Sequence, residues 1–528
     1  EPRRRDLLLE FLHRLQDEYG CLSTPHLAAL AHELRLAMAE VYEVASFYAR
    51  FDIVRDGDGP PLTLRVCDSP TCALMGAERL LEELRARAGD GLRVLRGPCM
   101  GRCDSAPVVE VGRSCVGHAS AETVIEAVGA GRTAQTRAAL PEYEELEAYR
   151  AAGGYALLEA CRAGERGAGE LISALAGSGL RGMGGAGFPV ARKWELVRQA
   201  PKPRMLVINA DEGEPGTFKD RFYLEREPHR FLEGMLVAAW AVEAERSSIY
   251  LRDEYPAARE ILRREIQRLE AAELLRRGSV ELRRGAGAYI CGEESAMLES
   301  LEGRRGLPRH RPPFPAEAGL FGRPTLVHNV ETVCWVRDIV EKGADWFASQ
   351  GRRGSQGLRS FSVSGRVRHP GVKLAPAGIS ANELIEEYCG GMQEGHGFKA
   401  YLPGGASGGM LPASLADLPL DFGTLEEHGC SLGSAALIVL SDRDRLRDVV
   451  RGLLRFFESE SCGQCSPCRL GTEKAAKLME GPIWDEELLR ELSHAMADAS
   501  ICGLGSAAGR AIQTALAHFR EDLVGSGS

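Results

Sequence analysis

The tightest constraint on this chain is Ser461-Cys-Gly-Gln-Cys-Ser-Pro-Cys468, which places three thiols within seven residues. Thiolates at Cys462, Cys465 and Cys468 suit three corners of an iron-sulfur cube, which then needs a fourth ligand. Cys502, in Ser500-Ile-Cys-Gly-Leu-Gly505, is the candidate, because a short Gly-rich turn lets backbone N–H groups approach cluster sulfides. The spacing predicts a 4Fe-4S cluster. A structural four-cysteine zinc site is the alternative, although zinc knuckles favour two C-x2-C pairs over a triplet plus a distant single. A one-electron carrier implies partners for its electrons.

A second quartet lies near the N-terminus, as Cys67-x4-Cys72 and Cys99-x3-Cys103. Leu62, Leu64 and Val66 alternate ahead of Cys67, so the first pair sits at a strand exit. It also opens a helix whose positive end faces the metals. Two pairs on separate loops suit a 2Fe-2S rhomb with two ligands per iron; zinc or a redox disulfide is the alternative. An odd total of 15 cysteines does not resemble a secreted disulfide framework, and reduced ligating thiols predict a cytoplasmic protein. The remaining seven, Cys21, Cys115, Cys161, Cys291, Cys334, Cys389 and Cys430, are expected to be small buried hydrophobes. A net charge of −10 speaks against nucleic acid or an anionic membrane as partner. No apolar run approaches the length of a membrane span, and the first residues do not resemble a signal peptide.

At 528 residues the chain exceeds one core and divides into segments. Residues 1–60 read as a helical bundle, with a stripe at Leu7, Leu8, Phe11, Leu12 and Leu15 and a cap at Thr24-Pro25. Residues 61–130 form a small α/β domain with a helix from Leu74 to Arg87, and 131–153 read as a linker. Residues 154–354 alternate strand and helix. Residues 355–441 read strand-turn-strand-helix, β-grasp-like, with Leu402 to Gly409 as a flexible loop. From 442 to 528 the pattern is helical, and four helices hold the cube.

Gly179-Leu-Arg-Gly-Met-Gly-Gly-Ala-Gly-Phe-Pro189, followed by Lys193-Trp194, is the main Gly-rich loop. Its glycines permit positive φ and close approach of a phosphate to backbone N–H groups, and Lys193 adds a cation. The spacing is neither that of a Walker loop nor G-x-G-x-x-G, and an ordinary turn stays open. An apolar strand, Met205 to Ile208, then ends in Asn209-Ala-Asp-Glu-Gly-Glu-Pro-Gly-Thr-Phe-Lys-Asp220. Polar groups at the carboxyl end of a strand occupy the ligand crevice of an open α/β sheet. Asp211, Glu212 and Glu214 suit ribose hydroxyls and a carboxamide, or else form a solvated acidic loop. Glu293 and Glu294 open a helix after Gly285-Ala-Gly-Ala-Tyr289, as ligand groups or as caps alone. Phe314, beside Pro312-Pro313, is held rigidly enough to stack on adenine, or lies in a solvated basic loop. Asn329 and Thr332 precede Trp335 and suit an isoalloxazine edge or a phosphate; capping is the simpler account of Thr332.

Four motifs, Gly182-Met-Gly-Gly-Ala-Gly-Phe188, Asn209 to Asp220, Tyr289 to Glu294 and the triplet with Cys502, resemble the flavin- and NADH-binding subunit of respiratory complex I. The N-terminal part resembles the thioredoxin-like 2Fe-2S subunit of the same machine. Both in one polypeptide is the arrangement of diaphorase subunits. The chain looks most like the β subunit of molybdenum- or tungsten-dependent NAD formate dehydrogenases, with the diaphorase subunit of NAD-reducing nickel-iron hydrogenase and the complex I module as alternatives. The resemblance implies a multidomain α/β fold: helical bundle, thioredoxin-like 2Fe-2S domain, Rossmann-like FMN/NADH domain, β-grasp-like domain and C-terminal four-helix bundle with 4Fe-4S.

It further implies FMN on Gly182, Gly184, Lys193, Asn209, Asp211, Glu212, Gly292, Glu293, Asn329 and Thr332. NAD would lie against Gly185, Ala186, Phe188, Glu214, Tyr289, Glu294 and Phe314. Met183, Leu196 and His328 depart from the family's usual arginine, aromatic and asparagine. A catalytic α subunit carrying a pterin-bound metal and further Fe-S clusters is the implied partner. Its electrons would enter through the 4Fe-4S cluster and leave through FMN as hydride to NAD, with the 2Fe-2S domain as a side reservoir. No general base is needed at the substrate carbon. A non-catalytic iron-sulfur scaffold lacking flavin is the alternative of another class.

Overall fold

The computed structural model describes residues 4–55, 59–131 and 140–524. The N-terminal helices Leu8–Tyr19, Thr24–Leu34 and Met38–Phe47 bury the expected apolar stripe at Leu8 and Leu12. The cap of the second helix is Ser23 rather than Thr24: its hydroxyl accepts from His26 N, and Pro25 falls in the first turn. These helices do not close a core of their own. Their side chains join one continuous cluster with Met205, Val207 and the C-terminal helices.

In the next domain four strands lie in the order Leu92–Gly97, Leu62–Cys67, Val109–Val111, Ser114–Val116. The first two are parallel and the others antiparallel, and the last strand was not anticipated. The expected helix from Leu74 to Arg87 is two, Pro70–Leu74 and Ala77–Arg87. Gly76 separates them at φ +92°, a left-handed conformation that ends a helix.

The central sheet is parallel throughout, ordered Thr325–Asn329, Arg204–Ala210, Ala244–Leu251, Val280–Arg284. It is covered on both faces, as parallel sheets are. The alternation of the strand sends Met205 and Val207 into one core and Leu206, Ile208 and Ala210 into another. On the second face, helices Pro228–Ala241 and Val330–Lys342 pack against each other, with Gly234 of the first against Val333 of the second. A Cβ there would lie 1.9 Å from the Val333 carbonyl oxygen. Gly234→Ala should therefore destabilise the domain by about 1–3 kcal/mol through overpacking. Thermal unfolding should show a fall in Tm of about 2–4 °C per kcal/mol; an unchanged Tm would refute the close-packing account.

The expected linker 131–153 lies partly outside the described residues, at 132–139. Its described remainder is no linker: helix Leu146–Ala151 buries Leu146 and Tyr149 in the second core. Tyr149 donates to Glu233 at 2.7 Å, and the Tyr155 hydroxyl lies 2.8 Å from His229 Nδ1. Its Ala, Glu and Arg composition hid the anchor at Tyr149, which Tyr155, just beyond it, extends.

The β-grasp-like sheet runs Gly371–Pro376, Leu358–Gly365, Ala436–Ser441, Phe398–Ala406, Leu411–Pro412, with a parallel pair between Leu358–Gly365 and Ala436–Ser441. Ser380 caps the following helix as expected. Leu402 to Ala406, expected as a flexible loop, instead completes the buried strand Phe398–Ala406. The C-terminal bundle consists of Leu446–Ser459, Ser466–Glu480, Glu486–Ala499 and Arg510–His518, with the short helix Gly503–Ala508 between the last two. Gly509 separates Gly503–Ala508 from Arg510–His518; a Cβ there would meet Ser493 at 2.6 Å. Among the described residues no helix is long and apolar enough to cross a membrane.

Candidate functional site

The strands Arg204–Ala210 and Thr325–Asn329 are neighbours in parallel register, so Asn209 and Asn329 stand side by side at their carboxyl ends. Asn209 Nδ2 donates to the Gly292 carbonyl at 2.7 Å, and its Oδ1 accepts from Asp211 N at 3.1 Å. This ties the loop before Glu293 to the loop after the strand. Asn329 Nδ2 donates to Asp220. Asn329 Oδ1 and Asp211 Oδ2 are buried with no partner. Burial pushes the Asp211 carboxyl up to about 8. Orphaned buried acceptors are costly, and a bound group with N–H or O–H donors would satisfy them.

The Gly-rich loop arches over this edge. Gly182 N donates to the Phe188 carbonyl at 2.9 Å, and Met183 N to Thr332 Oγ1 at 2.8 Å, which pins the loop to helix Val330–Lys342. Thr332 therefore holds the loop and does not cap the helix. Gly185 has φ +116°, and a Cβ at Gly184 would come within 3.2 Å of the Asn329 side chain. Lys193, in helix Val190–Gln199, lies 3.3 Å from Glu294 Oε2. Glu293 is the N-cap of Glu294–Leu301, accepting from Ser295 N and Ala296 N at 2.9 Å, and also pairs with Arg311.

The acidic loop turns inward: Glu212 is buried, and Asp211 and Glu214 are half-buried. Glu212 accepts from Asp220 N at 2.8 Å, Arg221 N at 3.1 Å and the Tyr255 hydroxyl at 2.9 Å. Its carboxylate holds the start of helix Lys219–Arg226, so burial and these bonds give it a structural task. Glu214 accepts from the Tyr289 hydroxyl and from Ser407 N at 2.7 Å, and burial raises its pKa. Phe188 and Phe314 are 45% and 52% exposed, as is Ala186, while Tyr289 packs edge-on against Phe456 at 4.9 Å. The departures fall beside the loop. Met183 is buried, and Leu196 is partly exposed. His328 accepts from Trp194 Nε1 at 2.7 Å, with burial holding the ring neutral.

Both cysteine quartets converge. Cys465 is the N-cap of Ser466–Glu480, Cys468 lies in that helix's first turn, and Cys502 is the N-cap of Gly503–Ala508, so two helix N-termini face the group. Gly505 has to be glycine, since a Cβ would meet Ser500 Oγ at 2.5 Å and Cys468 Cβ at 3.0 Å. Burial pushes the Cys468 thiol up to about 11 and also raises Cys462 and Cys502. These protons have to leave when metal binds. In the N-terminal quartet Cys99 and Cys103 Sγ are 3.6 Å apart. Hydrogen bonds from Cys103 and Cys67 draw the Cys99 thiol well below its ordinary value. Among the described residues no three His, Cys, Asp or Glu side chains gather tightly around a single-ion centre. Of the seven other cysteines, six are buried as expected and Cys115 is only half-buried.

Several residues that sequence reasoning missed join these centres. Phe218 packs directly on Cys99 and Cys103. Arg221 donates to the Gly101 carbonyl at 2.9 Å and to Asp104 at 3.1 Å, and a Cβ on Gly101 would overlap Tyr255. Tyr289 N donates to Glu460, two residues before Cys462. Lys219 is buried between Asp220 at 2.9 Å and Glu331 at 2.8 Å. The adjacent opposite charges Lys219-Asp220 at the start of a helix were the available signal; the fully buried position of the lysine was not legible.

Residues 175–338 match the family described as the Nuo51 FMN-binding domain, 1–131 the thioredoxin-like 2Fe-2S ferredoxin, and 448–525 the NADH-ubiquinone oxidoreductase-F iron-sulfur binding region. An F-type subunit of NADH-quinone oxidoreductase from Rhizobium meliloti (strain 1021) is 43% identical over 402 residues, covering 73% of this chain and 95% of that protein. The mitochondrial NADH-ubiquinone oxidoreductase 51 kDa subunit of Neurospora crassa is 42% identical over 377 residues, 67% of this chain and 76% of that one. Among solved structures, an NAD+-reducing NiFe hydrogenase in the air-oxidized state superposes with a TM-score of 0.86 at 33% identity, covering 98% of this chain and 93% of that chain. Convergent thiols, an edge of unfilled acceptors and these likenesses place the chain in the family of the FMN-binding 51 kDa subunit of NADH-quinone oxidoreductase, with a thioredoxin-like 2Fe-2S domain, a 4Fe-4S region and NAD(H) as its further cofactors.

Proposed function

We propose that this chain is the diaphorase subunit of a cytoplasmic NAD-linked complex, exchanging electrons between NAD(H) and a partner that carries a molybdenum or tungsten pterin and oxidises formate. The observation that carries the diaphorase reading is the pair of unfilled buried acceptors, Asp211 Oδ2 and Asn329 Oδ1, beneath the Gly-rich loop. FMN on Gly182, Gly184, Lys193, Asn209, Asp211, Glu212, Gly292, Glu293, Asn329 and Thr332 offers donors to both. When bound it supplies the exchange between hydride and single electrons.

The protein's own residues position and select. Gly184 and Gly185 let a ring approach the backbone, and Lys193 and Arg311 offset phosphate charge, with Glu293 and Glu294 setting where those cations stand. Glu212 holds the loop that carries Asp211. Glu214, oriented by Tyr289 and Ser407 N, accepts from the nucleotide, and Gly185, Ala186, Phe188, Tyr289, Glu294 and Phe314 line its path. Phe188 and Phe314 are exposed because their partner is a ligand ring. Cys67, Cys72, Cys99 and Cys103 hold the 2Fe-2S cluster, and Cys462, Cys465, Cys468 and Cys502 the 4Fe-4S cluster.

A second reading has its own support: the hydrogenase structure matches 98% of this chain, the fused N-terminal part included, which favours a nickel-iron partner equally. The purified complex decides. A pterin-bound metal with formate-dependent NADH formation supports the first; nickel with hydrogen-dependent NADH formation supports the second. Flavin absorbance and NADH oxidation by an artificial dye test the diaphorase itself, and a chain without either would be a scaffold. Glu214→Gln should raise the KM for NADH with kcat little changed, whereas Cys468→Ser should abolish transfer to the partner while dye reduction survives in part. Equal loss of both activities in both variants would contradict this division of roles.

A further inference from the structure

The strand Ala244–Leu251 ends at the carboxyl edge of the central sheet, and the next residue, Arg252, is buried between three parts of the molecule. Its Nη2 donates to the Cys99 carbonyl at 2.6 Å, in the loop of the N-terminal quartet. Its Nη1 donates to the Glu212 carbonyl, in the loop that carries Asp211. Its Nε lies 3.2 Å from Glu254 Oε2, and the guanidinium sits over the Tyr255 ring at 5.0 Å. Tyr255 in turn donates to the Glu212 carboxylate, so the two residues grip the same loop by backbone and side chain. Arg221 also reaches this loop, at Gly101, but it pairs with two carboxylates, Asp104 and Glu225, where Arg252 pairs with one, Glu254.

We propose that Arg252 is a positioning and potential-setting residue for the 2Fe-2S cluster: its fixed positive charge favours uptake of one electron there, while its fork holds the cluster loop against the flavin loop. The inference rests on the reading that Cys67, Cys72, Cys99 and Cys103 carry that cluster. The physical argument is one of charge. A cluster that accepts one electron becomes more negative by one unit, with no bond made or broken and no proton required. Arginine cannot shed its proton in a protein, and inside a buried site its field is weakly screened. Among the described residues Arg252 hydrogen-bonds the Cys99 loop and not the Cys462 triplet, so its charge stands nearer the N-terminal quartet.

Glu254 supplies the opposing charge, which makes the proposal testable by sign. The test is redox titration of the purified holoprotein with dithionite and mediators, the 2Fe-2S and 4Fe-4S signals being followed separately by electron paramagnetic resonance. Arg252→Gln should lower the reduced-to-oxidised ratio of the 2Fe-2S cluster at a fixed potential about tenfold, which is about 59 mV for a one-electron couple. Arg252→Lys should recover part of that loss, and Glu254→Gln should shift the ratio in the opposite direction. The 4Fe-4S ratio should move much less. A purely structural role would displace the 2Fe-2S ratio with one sign in all three variants, and that result, or no shift in any, overturns the proposal. If Arg252→Gln does not fold, the lysine and Glu254 variants carry the same decision. Absence of a 2Fe-2S signal from the unaltered protein would instead overturn the cluster reading, and this inference with it.

Discussion

Replacing Lys219 with methionine is expected to cost the fold about 3–5 kcal/mol, because it leaves two buried carboxylates facing one another without their cation. Lys219, Asp220 and Glu331 have side chains no more than 3% exposed, with Nζ 2.9 and 2.8 Å from the two carboxylates. Burial works against the lysine's charge, yet Asp220, Glu331 and Glu212 together hold its pKa above that of free lysine. The triad joins parts of the site that lie far apart in the chain. Asp220 accepts from Asn329 Nδ2, while Glu331 Oε1 accepts from Ser360 N of the β-grasp strand at 2.8 Å. Lys219→Met should therefore lose flavin as well as stability, and both flavin stoichiometry and thermal unfolding measure it. Adding Asp220→Asn and Glu331→Gln should restore much of the stability, since a neutral, matched cluster no longer buries unpaired charge. Full flavin content and an unchanged Tm in the single variant would refute the argument.

Arg50→Met is expected to have an effect of similar size, about 3–5 kcal/mol, but at a different joint. The Arg50 guanidinium is buried and donates to both Glu110 carboxylate oxygens at 2.6 Å and to Asp253 at 3.0 Å. One side chain from the N-terminal helical part thus clamps a strand of the 2Fe-2S domain to the residue that follows Arg252. Although burial alone would raise it, Arg50 and Arg284 hold the Asp253 carboxyl well below the usual range. A depressed carboxyl contributes stability that is fully present above its unfolded pKa of about 3.9 and is lost as pH falls through the folded value. Loss of Arg50 brings the folded value back up, so acid unfolding should begin at higher pH in the variant. Hydrogen exchange in Leu62–Cys67 and Val109–Val111 should quicken as the domain undocks. Unaltered exchange there, with an unaltered acid transition, would show that the clamp carries no docking energy.

The parts of the site legible in the sequence are those where chemistry forces local spacing. Cys462, Cys465 and Cys468 fall within seven residues, with Cys465 capping helix Ser466–Glu480 and Cys468 in its first turn, the close spacing that a single inorganic group requires of its thiols. Gly184 and Gly505 are legible as glycines of short Gly-rich turns; a Cβ would be tight at 3.2 Å from Asn329 in the first and would collide at 2.5 Å with Ser500 in the second. Glu212 also accepts from the first N–H groups of helix Lys219–Arg226, a task that an acidic run does not disclose, since it does not say which of its members turns inward. The stretch 140–153 has the composition of a linker because two tyrosines in an Ala- and Glu-rich segment carry no periodicity, although Tyr143 and Tyr149 fasten it to Glu265 and Glu233. Leu402 to Ala406 carries glycines and a proline that argue against a strand, and tertiary burial overrode that preference.

By itself the sequence determined the triplet Cys462, Cys465 and Cys468, the strand that delivers Asn209 and the glycines that leave room beside it, since each depends on residues within one loop or turn. Only the tertiary structure decided that Asn329 stands next to Asn209, that Arg252 reaches Cys99, and that Arg50 joins Glu110 to Asp253. The physical reason is the range of the forces. Cluster ligation and backbone conformation are settled across a few ångströms of contiguous chain. The pairing of buried charges 60 to 203 positions apart depends on which faces are left apolar once every domain has folded, and no short window of residues contains that information.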